Sequence, residues 1–291
     1  MANGSSGRSA LSRIMQILGT FDVNSAFLTV SQLSQRSGLP LATTHRVVSE
    51  LEQFGLLERE RDKTYRIGVR LWEIACRTPG ALGIREIAMP YLQEIHFAVR
   101  QHAQLGILQG HDVLFLERLS TRNAVVNVTL IGGRLPLHAS SSGLVLLAHG
   151  PGSLQDEVLS SELVKYTKDT VQSPAHLRRL LAQIREQGHA VGNGFIHPHA
   201  RGIAVPVYGM QETVVAAISV VIPNDATPTL PTVRLLKDAA HQVSTALRAA
   251  YLPLGDPHDP QSTVGGKYRT LVNSSMNSMD FFARHRQNHS L

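Results

Sequence analysis

The sequence predicts an α+β chain in two parts. The first is a small helical unit that ends in a short hairpin. The second is a larger domain with a mainly antiparallel sheet. Three observations predict this. Gly38 to Gly68 reads as a helix-turn-helix followed by a two-stranded wing. From Gln104 onward, strand-like segments rich in β-branched residues interleave with helical stripes. Between the two parts, Thr78-Pro79-Gly80 breaks the pattern.

At 291 residues and a net charge of +6, the chain is long enough for about two domains. Residues 1–80 carry 10 Lys and Arg against 7 Asp and Glu, and residues 81–252 carry 14 against 12. The basic excess is densest in the shorter part, which fits a nucleic-acid partner there. A single cysteine, Cys76, excludes an internal disulfide and a Cys-rich zinc site. The polar start lacks the apolar core of a signal peptide, and no apolar run approaches a membrane span. A cytoplasmic protein without membrane partners is expected.

Residues 1–8 are rich in Gly and Ser and are expected to be disordered. Ser9 can cap a helix whose stripe is Leu11, Ile14, Met15 and Leu18. Thr29 and Gln32 have capping-box spacing for a second helix that ends at Gly38. Pro40 suits the first position of a third helix, with Val47, Leu51 and Phe54 on one face and Gly55 as its stop. Leu56 to Glu60 and Thr64 to Gly68 read as short strands around an Arg61-Asp62-Lys63 turn. This pattern places Pro40, Thr43, Thr44, His45, Arg46 and Ser49 where a recognition helix meets base edges and phosphates. Arg59, Arg61, Lys63 and Arg66 suit phosphate contacts from the wing. For Arg46, a structural ion pair stands beside the DNA role.

Residues 69–80 read as a linker helix holding the only tryptophan, Trp72. In the larger part, residues 81–252, Ile84, Ile87, Ala88, Tyr91, Leu92 and Ile95 form a helical stripe. Leu105–Gln109 and Val113–Leu119 read as a hairpin about Gly110-His111-Asp112, and Ala124–Leu130 as a further strand. Ser140–Gly150 reads as a helix with a small-residue start, and Ala175–Gln187 as a helix opened by Ser173 and Pro174. Ile203–Tyr208 and Thr213–Ile222 read as central strands, and Thr232–Tyr251 as a closing helix. Residues 253–291 lose the patterning and read as a disordered tail, with a transient helix near Met279–Arg284.

Two chemical readings fail on the residues. His189, His197 and His199 have no acidic ligand nearby, so no metal or other cofactor is expected. Ser140-Ser141-Ser142-Gly143 lacks the G-x-S-x-G elbow and an identifiable base, so a hydrolase of small esters is disfavoured and no catalytic residue is assigned. His138 reads as a buried structural histidine. Arg134 suits a ligand, a subunit contact or a loop-fixing ion pair.

From Ser9 to Tyr251 the chain resembles the IclR-type bacterial transcriptional regulators. The resemblance rests on blocks in order: Ser9-Ala10-Leu11-Ser12-Arg13, Gly38-Leu39-Pro40 with Thr43 and His45-Arg46, and Tyr65-Arg66-Ile67-Gly68. The most specific is Gly133-Arg134-Leu135-Pro136-Leu137-His138-Ala139-Ser140, followed by Gly143 and later by Gly202-Ile203-Ala204. It implies a winged helix-turn-helix domain, a GAF-like effector domain, and a homodimer or homotetramer on a palindromic DNA operator. It also implies a small-molecule effector, expected to be a carboxylate, that modulates DNA affinity; repression and activation both remain open.

The resemblance places the effector pocket at Leu135, Ser140, Ser141, Ser142 and Gly143. Gly192, Ala200, Gly202, Ser219 and Val221 stand opposite, and Asn127 belongs to the same set. Hydroxyls and helix-start N–H groups there suit an anion. Where such regulators commonly carry an acidic stretch, this chain has Gly192-Asn193-Gly194-Phe195. It has Gly202 and Val221 where polar residues are frequent. A roomier, less polar pocket is expected, for an acid larger than two or three carbons, such as an aromatic one. A DNA-binding protein whose second domain only oligomerises is the other reading.

Overall fold

A computed structural model describes residues 9–22, 25–75, 81–209 and 212–251. The expectations for the first eight residues, for Cys76, for the end of the linker and for the tail fall outside these residues. The chain divides into two compact units at residues 78 and 79. No helix among the described residues is long and apolar enough to cross a membrane.

The small unit runs α1 (Ala10–Leu18), α2 (Val30–Ser37), α3 (Leu41–Gln53), β1 (Leu57–Arg59), β2 (Tyr65–Ile67) and α4 (Val69–Ala75). Local chemistry sets its boundaries. The Ser9 hydroxyl accepts from Ser12 N at 3.1 Å. Gln32 N donates to Thr29 Oγ1 at 3.3 Å and Thr29 N to Gln32 Oε1 at 2.8 Å, closing the capping box. Gly38 ends α2 at φ +68°, a conformation that costs glycine little. Ile17, Leu33, Val47, Val48, Leu51, Leu57 and Tyr65 form one core.

Two stripes differ from expectation. In α1 the fully buried residue is Ile17, while Leu11 and Met15 are exposed. In α3 the buried face is Thr44, Val47, Val48 and Leu51. Phe54 is 63% exposed, because the helix ends at Gln53 and Phe54 caps it outside the last turn. Pro40 likewise lies one residue before the helix, at its N-cap. Leu28 adds a bridge to the wing: its N–H donates to Tyr65 O at 2.9 Å and Tyr65 N returns a bond at 2.8 Å.

The large unit begins with α5 (Ala81–Val99), β3 (His102–Gln109), β4 (Asp112–Leu119), β5 (Arg134–Pro136) and α6 (Ser141–Ala148). It continues with α7 (Gly152–Ser160), α8 (Pro174–Gln187), β6 (Ala190–Asn193), β7 (Ala200–Tyr208), β8 (Val214–Pro223) and α9 (Leu230–Tyr251). The six strands form one antiparallel GAF-like sheet in the order β5-β4-β3-β8-β7-β6. One face packs on α5 and α9 through Leu92, Ile95, Leu105, Ile203, Ile218 and Leu236. The other packs on α6 and α8 through Phe115, Leu144, Leu147, Leu177 and Ala204. Burial on both faces explains why β7 and β8 read as near-continuous apolar runs.

The segment Ala124–Leu130 is not a strand. It is an irregular extended loop outside the sheet. Its backbone is held by side chains instead: Val125 N donates to Gln101 Oε1 at 2.8 Å, and Val125 O lies 2.6 Å from His102 Nε2. Arg118 donates to Thr129 O. Burial pushes the His102 imidazole pKa below its ordinary value, so the ring is favoured neutral, with one N–H for Val125 O.

Candidate functional site

The small unit offers an exposed polar face. On α3, His45, Arg46 and Ser49 are exposed and Thr43 is half-buried, with Pro40 exposed at the helix start. Thr44 departs from its expected contact role. It is fully buried, and its hydroxyl donates to Pro40 O at 3.2 Å, so it serves the helix core. On the wing, Arg61 and Lys63 project from the turn, and neither has an ion pair among the described residues. The turn is fixed by Asp62, whose Oδ1 accepts from Thr64 N at 3.0 Å and from the Thr64 hydroxyl at 2.6 Å. Those bonds hold the Asp62 carboxyl below its usual pKa. Arg59 lies over the Tyr65 ring at 5.8 Å. Arg66 also differs from expectation. It pairs with Glu58 at 2.6 Å and Glu60 at 2.7 Å, so its charge is engaged within the hairpin.

The large unit contains a cavity between the start of α6 and the sheet, enclosing about 50 Å³ of free space. Its floor follows from register. Val221 of β8 pairs with Gly202 of β7, which pairs with Gly192 of β6. Two glycines in that row let other groups approach. A Cβ at Gly202 would lie 2.6 Å from Ser141 Oγ, so the missing side chain admits the start of α6. A Cβ at Gly192 would lie 3.1 Å from the Phe195 ring, so that space is taken by an aromatic. The room expected from the two glycines is thus largely filled by the protein's own groups. Leu135, Ser140, Ala200 and Asn127 line the cavity with Ser141 and Ser142.

Two expected residues do not line it. Gly143 packs on backbone, where a Cβ would meet Leu137 O at 2.4 Å. Ser219 lies behind the wall at 1% exposure, where its hydroxyl accepts from Ser142 Oγ at 2.8 Å and donates to Gln104 Oε1 at 3.4 Å. Sequence reading missed Gln104, Phe115, Val126, Val128, Thr129, Ala139, Phe195 and Ile196 as lining, while His197 lines it as one of the surface or pocket-rim histidines. The Gly192-to-Phe195 departure was a local clue to Phe195. Gln104 and Phe115 carried no such clue, since only strand pairing brings them here.

The cavity is mostly apolar, with a polar end. Ser140 Oγ caps α6 by accepting from Gly143 N at 3.1 Å. The N–H groups of Ser141 and Ser142 have no acceptor among the described residues. A helix start with free donors favours an anion. The serines show no nucleophile geometry: His138, the nearby histidine in sequence, bonds Val164 O at 3.0 Å. Arg134 lies 3.8 Å from Asp112, in a loop-fixing pair. Among the described residues no group of three metal-ligating side chains converges; His197 Nδ1 is engaged with His199 N at 3.3 Å. Phe195 is anchored from behind: Thr170 Oγ1 donates to Phe195 O and Thr167 Oγ1 to Gly194 O, each at 2.6 Å.

Comparison with known proteins agrees with both units. The profile of the IclR helix-turn-helix domain matches residues 10–61, and that of the bacterial transcriptional regulator IclR C-terminal domain matches residues 77–250. A crystal structure of an IclR homolog from Microbacterium hydrocarbonoxydans, complexed with 4-hydroxybenzoate, is 44% identical. Its TM-score is 0.80, over 83% of this chain and 100% of that one. The HTH-type transcriptional regulator XynR of Escherichia coli is 31% identical over 72% of this chain and 84% of its own length. The Pca regulon regulatory protein of Pseudomonas putida is 29% identical over 72% and 73%. With a helix-turn-helix and wing in one unit, a GAF-like sheet in the other, and family profiles spanning both, the chain belongs to the IclR family of bacterial transcriptional regulators.

Proposed function

We infer that this regulator binds a palindromic operator as a homo-oligomer, and that a small aromatic carboxylate in the large unit changes its grip on DNA. Residues 9–68 are the DNA-binding part, 69–80 the connector, and 81–252 the sensing and oligomerising part. The observation that carries the effector reading is the cavity itself. The start of α6, where the N–H groups of Ser141 and Ser142 have no acceptor among the described residues, borders space lined by Phe115, Leu135, Phe195 and Val221. One end suits a carboxylate and the remainder suits a ring. The 4-hydroxybenzoate complex of the Microbacterium homolog supports the same class.

At the other unit, His45, Arg46 and Ser49 are placed for base edges or phosphates, and Arg59, Arg61 and Lys63 for phosphates. About 50 Å³ holds only a few water-sized groups, so a ring enters by displacing wall side chains. Regulation then follows if the ligand prefers one arrangement of the paired DNA heads. Fluorescence anisotropy with a palindromic fragment from the protein's own promoter region is the test. Binding that weakens with salt and shifts by tenfold or more on adding 4-hydroxybenzoate is expected. DNA binding indifferent to every aromatic acid would favour the reading in which the second domain only oligomerises.

A further inference from the structure

A one-way chain of hydrogen bonds leads away from the start of α6. The Ser142 hydroxyl donates to Ser219 at 2.8 Å, and Ser219 donates to Gln104 Oε1 at 3.4 Å. Gln104 Nε2 donates to the Thr129 hydroxyl, which donates to Asn127 Oδ1 at 2.8 Å. Asn127 Oδ1 also accepts from Thr129 N at 3.0 Å. A backbone N–H cannot reverse its role, so this bond fixes the amide: Oδ1 faces Thr129, and Nδ2 is the remaining group. Asn127 lines the cavity, and its Nδ2 is buried with no partner among the described residues. A buried donor left unpaired is costly, and an arriving acceptor recovers that cost.

The chain joins two separate stretches of the cavity wall. It passes from the helix start to Ser219 on β8, to Gln104 on the neighbouring β3, and then to the loop beyond.

We propose that Asn127 is the specificity-determining residue for a second oxygen on the effector: its Nδ2 donates to an acceptor carried by the ring, apart from the carboxylate. The ligand class is therefore a single-ring aromatic acid with a second oxygen, and the para position is the one probed. This rests on the aromatic-acid reading above and narrows it.

Calorimetric titration of the full chain with benzoate, 4-hydroxybenzoate and 4-formylbenzoate separates the two. The formyl oxygen accepts but cannot donate. The wild type is expected to bind both para-oxygenated acids about tenfold more tightly than benzoate, the size of one hydrogen bond that also pairs a buried donor. Asn127→Asp keeps the acceptor for Thr129 and removes the donor, so the ratio of 4-formylbenzoate to benzoate affinity falls to one or below. Asn127→Ala gives the same ratio without added charge, and serves if Asn127→Asp fails to fold. A ratio that stays near ten in either folded variant overturns the assignment, as does a wild type that binds all three acids equally. Binding of none of the three by the wild type overturns the aromatic-acid reading, and this inference with it.

Discussion

On the small unit, Arg61, Lys63 and Arg46 stand exposed on a hairpin tip and a helix face; in the large unit, Gln104, Ser142 and Ser219 are each at most 2% exposed. The first set suits a polyanion. Exposed cations act through number and long reach, tolerate motion, and weaken with salt. The second set suits a small molecule. Buried hydroxyls and amides act through fixed direction, and each must be paired. One chain thus holds two kinds of recognition, and they fail under different insults.

The heaviest blow to this contrast comes from the small core. Leu51 is 1% exposed within a core of few large residues, so Leu51→Ala is expected to cost about 2–5 kcal/mol. DNA binding should vanish, with a lowered first transition in calorimetric melting, while binding of an aromatic acid persists. Loss of both together would show that the two units do not stand alone.

Gly202→Ala attacks the other side. Its Cβ would fall 2.6 Å from Ser141 Oγ and 3.3 Å from Ser141 Cβ, so the serine must turn aside and crowd the cavity, a cost of about 1–3 kcal/mol. Affinity for the acid should fall by about tenfold or more, since 1.4 kcal/mol is tenfold. Affinity for DNA without acid should stay unchanged, as read by anisotropy.

The gentlest test is at the wing tip. Replacing Arg61 and Lys63 together with alanine should leave stability within about 0.5 kcal/mol. The slope of log K against log salt should shrink by about 0.9 for each phosphate that the wing no longer neutralises. Arg66→Ala should change that slope less, because its charge already pairs with Glu58 and Glu60.

What could be read in advance was what short stretches decide. The Thr29–Gln32 box and the Gly38 cap depend on a few consecutive residues and were legible. So was the α5 stripe, because one face of it meets one continuous core. Ala124–Leu130 misled because alternation signals an extended backbone, not a neighbour to pair with; here Gln101 and His102 supply the partners. The strands β5 and β6 and the helix α7 were not read, each being short or weakly patterned. Thr44 misled because a helix start in this motif presents some residues to DNA and turns others inward, and spacing alone did not separate them. The polar chain was illegible: Ser219 is 77 residues from Ser142 and 115 from Gln104, so only the sheet register joins them.

The threonine anchors behind Phe195 have a mechanical consequence. The carbonyls of Gly194 and Phe195 are moored to Thr167 and Thr170, in the segment between α7 and α8. A guest that widens the cavity by shifting this backbone must drag those moorings along or snap them. Any occupant that moved the backbone at Phe195 would therefore strain two hydrogen bonds to the segment between α7 and α8, with no change of charge.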